Sequence, residues 1–324
     1  MSNAAASGAG VPRAGTPGAG VPRAGTRGPD EPAGRATAPG GTGPRIVVVG
    51  DAALDVLARA DALPVPGGDA RATIALRPGG AGANTAAWLA ACGARPVLVS
   101  RVGTDPAAAQ VRAELAAAGV DAVLAADPGA PTCTVLVLVD RTGQRTMLAD
   151  RGAAGRLDPA DIATSALAGA RHLHLSGYVL LDESSRPAGL AALAAARRAG
   201  LTTSVDPQAA ELLEPGFLDL VRDVDLLLPS AGELAALGGA AAVLDAVGAI
   251  AVTAGPGGAT WLDRDGGLWN VPAAPVDPVD TTGAGDAFDA GLLAARIGGA
   301  TPLDALRAGV AAGTRAVQHP GAWP

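Results

Sequence analysis

Short apolar runs alternate along the chain with segments of helical spacing, beginning near residue 45. The first run, 45–50, reads Arg-Ile-Val-Val-Val-Gly, and its β-branched residues are typical of a buried strand. The other predicted strands are 96–100, 172–175, 202–205, 225–228 and 249–253, and the predicted helices include 84–92, 106–118 and 287–296. Alternation of this kind predicts an α/β fold with a mostly parallel central sheet and helices on both faces.

Two stretches interrupt this alternation. Residues 55–77 and 131–150 are rich in strand-type residues and contain no long helical pattern, and Thr142-Gly143 in the second suits a hairpin turn. We expect the two stretches to pair into a small accessory sheet that is hinged at Gly79-Gly80 and near Gly152. A small sheet of this kind would act as a lid and would leave a face that a second subunit could cover.

Residues 1–44 have a different composition from the rest of the chain. The sequence GAGVPRAGT occurs at 8–16 and again at 18–26, and Gly, Pro, Ala and Arg dominate the whole stretch. Such a segment has almost nothing to bury, so it is predicted to be a disordered tail. The folded domain is therefore predicted to span 45–324.

The bulk properties exclude several classes of function. The 324 residues carry a net charge of −7, which argues against nucleic acid as a partner, and no apolar run is long enough to span a membrane. No secretory signal follows Met1, so we expect a cytoplasmic protein. Two cysteines, Cys92 and Cys133, suit neither a disulfide framework nor a zinc cluster.

All 24 basic residues are arginine, and the absence of lysine limits the chemistry. A P-loop of the Walker A type requires a lysine that reaches the phosphates, and a Schiff base requires a lysine amine. Phosphate chemistry in this chain must therefore use backbone amides, arginine and metal ions.

The most informative motif is Gly283-Ala284-Gly285-Asp286, which stands just before the predicted helix 287–296. A turn of small residues that leads into a helix presents unpaired N–H groups, and these form an anion site. A carboxylate beside that site suits a general base that takes a proton from an attacking hydroxyl. The alternative role for Asp286 is an ordinary helix cap.

Several motifs together resemble the PfkB, or ribokinase-like, family of sugar kinases. They occur in the family's order: Gly50-Asp51 to Asp55, Gly79-Gly80-Ala81-Gly82-Ala83-Asn84, Val102-Gly103-Thr104-Asp105, Val252-Thr253-Ala254-Gly255, and Asp280-Thr281-Thr282-Gly283-Ala284-Gly285-Asp286. The resemblance implies a ribokinase-like three-layer α/β/α sandwich with a β-sheet lid, which often forms a dimer contact. It also implies an ATP-dependent kinase that uses Mg²⁺ to phosphorylate a hydroxyl of a sugar or sugar-like molecule.

The same resemblance implies roles for individual residues. Asp286 would be the catalytic base, with the amides of Gly283, Ala284 and Gly285 as the anion hole. Asp55, Gly79, Gly80 and Asn84 would bind the sugar, and Ser230, Glu233, Thr253, Gly255 and Gly258 would lie along ATP. Glu233 would influence Mg²⁺, although Ser230 stands where the family usually has asparagine. Asp280 would help to hold a monovalent cation such as K⁺.

Each of these roles has a structural alternative. Asp55 suits a turn, and Asn84 suits a helix N-cap. Ser230 and Glu233 suit a capping box, Thr253 to Gly258 suits a tight turn, and Asp280 suits bonds to its own loop. Arg151 could reach a substrate carboxylate or the γ-phosphate, or it could be a solvated surface arginine. His172 and His174 are expected to be structural.

The sequence leaves the substrate open. Ala81 replaces a lysine of the ribose-specific members, and Ser176-Gly177-Tyr178 stands where those members place a sugar-binding carboxylate, so ribose is not favoured. A ketohexose, a nucleoside and a 2-keto-3-deoxy sugar acid held by Arg151 all remain open. A non-catalytic sugar or nucleotide sensor with the same fold is the alternative from another class of function.

Overall fold

Residues 43–60, 65, 67–141 and 145–324 are described by a computed structural model. Almost all of the predicted tail, together with the predicted Thr142-Gly143 turn, lies outside these residues. Within them, no helix is long and apolar enough to cross a membrane.

A nine-stranded sheet, in the order β13-β12-β11-β10-β9-β8-β1-β4-β5, forms the centre of the described structure. Its strands are β1 (Arg45–Val49), β4 (Arg95–Val102), β5 (Asp121–Ala126), β8 (His172–Ser176), β9 (Thr202–Asp206), β10 (Leu226–Leu227), β11 (Ala249–Thr253), β12 (Ala259–Asp263) and β13 (Leu268–Val271). The seven strands from β11 to β5 are parallel, whereas β12 and β13 are added antiparallel at one edge. The mostly parallel sheet is therefore confirmed.

Helices cover both faces of this sheet. They are α1 (Ala81–Ala91), α2 (Pro106–Ala117), α3 (Thr164–Leu167), α4 (Tyr178–Leu181), α5 (Arg186–Arg198), α6 (Phe217–Leu220), α7 (Ala231–Ala236), α8 (Gly239–Ala246), α9 (Ala284–Ile297) and α10 (Pro302–Ala316). One apolar core lies under α1, α9 and α10 and contains Trp88, Phe288 and Leu306, and the other lies under α5 and α8 and contains Leu193 and Val243. The arrangement gives the three layers that the resemblance implied.

The two interrupting stretches form the small sheet that was predicted from the sequence. Its strands are β2 (Ala53–Arg59), β3 (Thr73–Gly79), β6 (Cys133–Val139) and β7 (Arg145–Asp150), in the order β3-β2-β6-β7. The strands β2 and β6 run parallel, and the two outer pairs are antiparallel. We refer to these four strands as the lid sheet.

The order of the strands in the central sheet indicates where a ligand would bind. From β1 the sheet extends to β4 and β5 on one side and to β8, β9, β10 and β11 on the other. Ligands of open parallel sheets bind outside the carboxyl ends of the strands, at the point where the strand order reverses. Asp51 follows β1 at that point, and Asp206 ends the second strand along, β9.

Two predicted helix starts are three residues too late, because α9 begins at Ala284 and not at 287, and α1 begins before Asn84. The helix α1 begins at Ala81 after Gly80, so Asn84 lies inside its first turns and is not an N-cap. Gly80 has φ of 91°, a conformation that glycine adopts without steric cost, and this lets the helix begin three residues earlier than its apolar pattern suggests. Asn84 consequently has its side chain available for contacts across the site.

Candidate active site

The small-residue turn leads directly into α9, as predicted. Gly283 has φ of 71°, and a Cβ atom there would come within 2.7 Å of the Ala322 carbonyl oxygen, so the turn requires glycine. The first N–H groups of a helix have no partner within the helix. In α9 this leaves Gly285 N and Asp286 N at the positive end of the helix dipole, where they suit an anion, whereas Ala284 N donates to the Thr281 carbonyl oxygen at 3.4 Å. The predicted anion hole of Gly283, Ala284 and Gly285 stays a prediction.

Asp286 is buried beside this turn and is held by two residues of α1. The Asn84 side-chain amide donates to Asp286 Oδ2 at 2.9 Å, and Thr85 Oγ1 donates to Oδ1 at 3.5 Å. Burial, which outweighs the hydrogen bond from Asn84, raises the pKa of Asp286 to about 7. A carboxyl group with this pKa can both accept and release a proton near neutral pH, as a general base must.

Two further carboxylates belong to this region, that of Asp51 after β1 and that of Asp55 in β2 of the lid sheet. Burial, assisted by the charge of Asp51, raises the pKa of Asp55 to about 6, and the charge of Asp51 also acts on Asp286. One carboxylate oxygen of Asp51 and one of Asp55 are buried and have no hydrogen-bond partner in the described part of the chain. Buried acceptors of this kind are suited to hydroxyl donors from a ligand.

The glycines before α1 make room for these carboxylates. A Cβ atom at Gly79 would lie 2.2 Å from Asp55 Oδ1, and one at Gly80 would lie 2.7 Å from the Asp51 carbonyl oxygen. The close approach that these glycines permit is therefore to the protein's own Asp51–Asp55 segment. Gly79 and Gly80 shape the predicted sugar site by positioning its two acids.

Arg151 is not the solvated surface arginine that the sequence left as an alternative. Its guanidinium forms an ion pair with Asp182 and lies over the ring of Tyr178, 5.1 Å from the ring centroid. Burial opposes the charge of Arg151, but the nearby Asp51 and Asp182 outweigh it and raise the arginine pKa. One terminal nitrogen, Nη2, is buried and unpartnered among the described residues, so it can still donate to a ligand.

Two cavities meet at the small-residue turn. The larger, of about 680 Å³, contains the predicted nucleotide residues Thr253, Gly255 and Gly258 in its wall. The smaller, of about 220 Å³, is lined by Ser230, Glu233, Asp206, Asp286 and Asp289 among others. Thr253, Thr281, Ala284 and Gly285 line both, so an elongated ligand can extend from the large cavity past the turn to Asp286.

Ser230 and Glu233 form a capping box at the start of α7, as the structural alternative proposed. Glu233 N donates to Ser230 Oγ at 3.3 Å, and Ser230 N donates to Glu233 Oε2 at 2.7 Å. Burial nevertheless raises the pKa of Glu233, and the residue faces the smaller cavity. The capping role and a role toward a ligand are thus compatible.

Asp206 and Asp289 are two site residues that the sequence analysis missed. Both are buried beside the smaller cavity, and burial with the charge of Glu233 raises both pKa values well above the usual range. The charge of Asp206 raises the pKa of Asp289 further. Asp289 Oδ2 has no hydrogen-bond partner within the described structure. Asp289 lies one helical turn after Asp286, and this spacing was a usable sequence signal.

Asp280 holds its own loop, which was one of its two predicted roles. Its carboxylate accepts from Thr282 N at 2.9 Å, from Thr282 Oγ1 at 2.6 Å and from Gly321 N at 3.1 Å. Burial opposes these bonds, but they outweigh it and lower the pKa of Asp280. A cation at Asp280 stays a prediction.

A further missed residue reaches this loop from the lid sheet. Arg145, the first residue of β7, donates to Thr281 Oγ1 at 2.6 Å and also to Thr282 Oγ1, and its guanidinium is 3.3 Å from Asp280 Oδ1. These contacts connect the lid sheet to the turn that precedes α9. A lone arginine in a polar stretch gives no sequence signal of this kind.

His172 and His174 are structural, as expected, and belong to a buried polar row. Ser204 Oγ on β9 hydrogen-bonds His172 Nε2 and His174 Nδ1, each at 2.8 Å, and Thr202 Oγ1 contacts His172 Nδ1 at 2.8 Å. Burial lowers the pKa of both imidazoles to about 3, so both are neutral. In the described residues, no group of three or more His, Cys, Asp or Glu side chains could hold a metal ion.

Comparisons with known proteins agree with this geometry. The family model described as pfkB family carbohydrate kinase matches residues 44–323. A fructokinase of Klebsiella pneumoniae is 35% identical over 270 residues, which cover 77% of this chain and 83% of that protein. An ATP-dependent ribose-1-phosphate kinase of Halopiger xanaduensis is 34% identical over 260 residues, with 77% and 84% covered.

Solved structures show the same architecture. A candidate ribokinase II of E. coli, solved in complex with ATP and Mg²⁺, superposes with a TM-score of 0.77 at 25% identity and covers 86% of this chain and 94% of its own. An adenosine kinase of Sinorhizobium meliloti superposes with a TM-score of 0.78 at 23% identity, with 87% and 96% covered, and so shares the fold.

Proposed function

The chain belongs to the pfkB family of carbohydrate kinases, and from this premise we propose that it transfers the γ-phosphoryl group of ATP to a hydroxyl of an uncharged sugar. The observation that carries the proposal is the position of Asp286. A buried carboxyl group with a pKa of about 7 lies beside a helix N-terminus, at the point where two cavities meet. A protein that only binds a sugar has no use for a base at that point.

In the proposed reaction the sugar hydroxyl attacks the γ-phosphorus. The new O–P bond forms while the bond between the γ-phosphorus and the β,γ-bridging oxygen breaks, and Asp286 accepts the hydroxyl proton. The N–H groups at the start of α9 stabilise the charge that develops on the transferring group. ADP leaves with the bridging oxygen, and Asp286 then releases its proton to solvent.

ATP is assigned to the larger cavity. Its wall contains Thr253, Gly255, Gly258, Val310 and Val317, which combine an apolar surface with the backbone of a tight turn. This surface suits a purine ring, whereas the smaller cavity beside Gly285 and Asp286 suits the phosphates.

Because ATP is a cytoplasmic metabolite, we assign the protein to the cytoplasm.

Mg²⁺ would enter the smaller cavity bound to the phosphates of ATP, because the described residues offer no set of three direct ligands for a metal ion. Three carboxyl groups, those of Asp206, Glu233 and Asp289, face this cavity with raised pKa values, and Asp289 Oδ2 is buried without a described partner. Carboxylates that lack counter-charge are suited to a divalent cation that keeps most of its water shell. Glu233 and Asp206 would hold such a water shell, and the cation would neutralise the phosphates of ATP.

The charge of the sugar site supports an uncharged substrate. Asp51 and Asp55 both act on Asp286, and Arg151 is paired with Asp182, which leaves only its Nη2 for a ligand. An anionic substrate would therefore enter a site of net negative charge, which costs free energy in a buried environment. This favours a ketohexose over a 2-keto-3-deoxy sugar acid or a sugar phosphate, and it leaves a nucleoside as the second candidate.

The lid sheet supports the predicted homodimer. Its two outer strands expose large apolar side chains, with Ile74 65%, Met147 51% and Leu148 56% accessible. Exposed apolar strands at a sheet edge are stabilised when a second copy covers them. Sedimentation velocity tests this part, because a monomer at micromolar concentration would contradict it.

A coupled assay of ADP release tests the function. The panel contains fructose, fructose 1-phosphate, 2-keto-3-deoxygluconate and adenosine, each with Mg·ATP. We expect turnover with the uncharged sugar and a kcat/KM at least about tenfold lower with either anion. If no member of the panel accelerates ADP release although ATP binds, the kinase assignment is wrong and the sensor alternative stands.

A further inference from the structure

The segment Gly321–Trp323 forms part of the wall of the site. Gly321 N donates to Asp280, the Trp88 indole donates to the Ala322 carbonyl oxygen at 2.9 Å, and the Trp323 indole donates to Asn84 Oδ1 at 2.9 Å. Ala322 is also the residue against which the Gly283 turn packs. None of the sequence motifs described above includes residues 321–323.

The contact at Trp323 decides how the Asn84 amide is oriented. An amide oxygen accepts hydrogen bonds and an amide nitrogen donates them, whereas an indole N–H can only donate. The donor at Trp323 therefore requires Oδ1 of Asn84 on its side, and this turns the amide nitrogen toward Asp286 Oδ2, 2.9 Å away. The opposite orientation would place an oxygen against the carboxylate and two donors against each other.

From this chain of contacts we propose that Trp323 is a positioning residue for the phosphoryl transfer. Its indole N–H fixes the Asn84 amide, and the fixed amide holds the Asp286 carboxylate aimed at the acceptor hydroxyl. The inference rests on the proposed kinase activity of this site. Trp323 itself is assigned no contact with sugar or ATP.

The Asn84 bond matters because the carboxyl groups that the structure describes near Asp286 all oppose its charge. Asp51 lies after β1 and Asp55 lies in β2. Asp206 ends β9, and Asp289 lies in α9. The Tyr178 phenol lies at the start of α4. The acidic groups all favour the protonated form of Asp286. The amide of Asn84 and the weaker bond from Thr85 are the contacts that favour the ionised form.

The test is Trp323→Phe, which keeps an aromatic ring but removes the N–H. We expect kcat to fall by about three- to tenfold, the effect of one lost hydrogen bond between uncharged groups, with the KM for ATP unchanged. The acid limb of the kcat profile should move to higher pH, a change that loosened packing alone does not produce. Trp261→Phe is the matched control, because it removes the indole bond to Asp263 at 3.1 Å in β12 and should leave kcat and the profile unchanged.

A double-mutant cycle locates the effect. In an Asn84→Ala background, Trp323→Phe should change kcat by less than twofold, because the amide through which it acts is gone. A full additional fall in that background would overturn the proposal, and so would an unchanged kcat and pH profile for Trp323→Phe alone.

The same set of variants distinguishes a folding defect from a loss of the positioning contact. If Trp323→Phe melts below the assay temperature, Trp88→Phe replaces it in the cycle, because it releases the same segment at the Ala322 carbonyl oxygen. Turnover of the parent protein with a sugar tests the proposed function, whereas the differences between variants test Trp323. A parent that turns over and an additive cycle would refute only the role of Trp323.

Discussion

Arg145 in the lid sheet donates a 2.6 Å hydrogen bond to Thr281, which belongs to the loop before the catalytic helix α9. The two residues are 136 positions apart in sequence. Thr281 lines both of the cavities assigned to ATP and its phosphates. The contact therefore joins the lid sheet to a residue that lines both cavities.

Replacing Arg145 by alanine should loosen the lid sheet. Hydrogen bonds from a charged donor contribute about 1.5–3 kcal/mol, so kcat/KM for the sugar should fall by about 10- to 100-fold. Water should then enter more easily, and the ratio of ATP hydrolysed to sugar phosphorylated should rise. Arg77→Ala, at an exposed arginine of β3, is the matched control. An unchanged ratio for Arg145→Ala would show that the contact has no part in closure.

Hydrogen exchange examines the same lid independently of activity. We expect the uncharged sugar to protect β2, β3, β6 and β7 together in the parent protein, and Arg145→Ala to reduce that protection. Exchange that is the same with and without a turned-over substrate would contradict the prediction of a closing lid.

Asp286→Asn should remove turnover and leave ATP binding intact. The amide keeps the shape of the side chain but cannot accept the proton, and general-base assistance typically contributes about 10²- to 10⁴-fold. In the parent protein kcat should fall as the pH drops through about 7, because protonated Asp286 is not a base. A variant within twofold of the parent would refute the assignment.

Asp55→Ala should weaken sugar binding far more than ATP binding. One hydrogen bond to a carboxylate contributes about 1.5–3 kcal/mol, so the sugar KM should rise by about 10- to 100-fold. The pKa of Asp55 is about 6, and its ionised form is the better acceptor, so the sugar KM of the parent should rise as the pH falls below about 6. Equal changes in both KM values would place Asp55 outside the sugar site.

Local patterns predicted most of the fold, and long-range contacts explain what they missed. The strand 249–253 was predicted with the observed ends because a buried apolar run is bounded there by glycines. The roles of Arg145 and Trp323 depend on partners 136 and 239 residues away, and only tertiary packing brings these together. Asn84 was given a capping role as its alternative because the positive φ of Gly80, after which α1 begins, cannot be recognised from apolar spacing.

The buried histidines give a prediction for acid stability. His172 and His174 have pKa values of about 3 in the folded protein and an ordinary value of 6.5, so the unfolded chain binds more protons between these limits. Their contribution to stability is therefore present above pH 6.5 and is lost as the pH falls toward 3. The buried acids Asp206, Asp286 and Asp289 act in the opposite direction, because their raised pKa values make the folded protein bind protons more tightly.

Comparing His174→Gln with the parent isolates one imidazole from these opposing groups. Urea unfolding should give a free energy that falls with decreasing pH less steeply in the variant, by up to about 1.4 kcal/mol per pH unit between pH 6 and 4. The variant should also be less stable at pH 7, since glutamine cannot reproduce the 2.8 Å bond to Ser204 within the row. His319→Gln, at an exposed histidine, is the matched control for the substitution itself. Parallel slopes for His174→Gln and the parent would contradict this prediction.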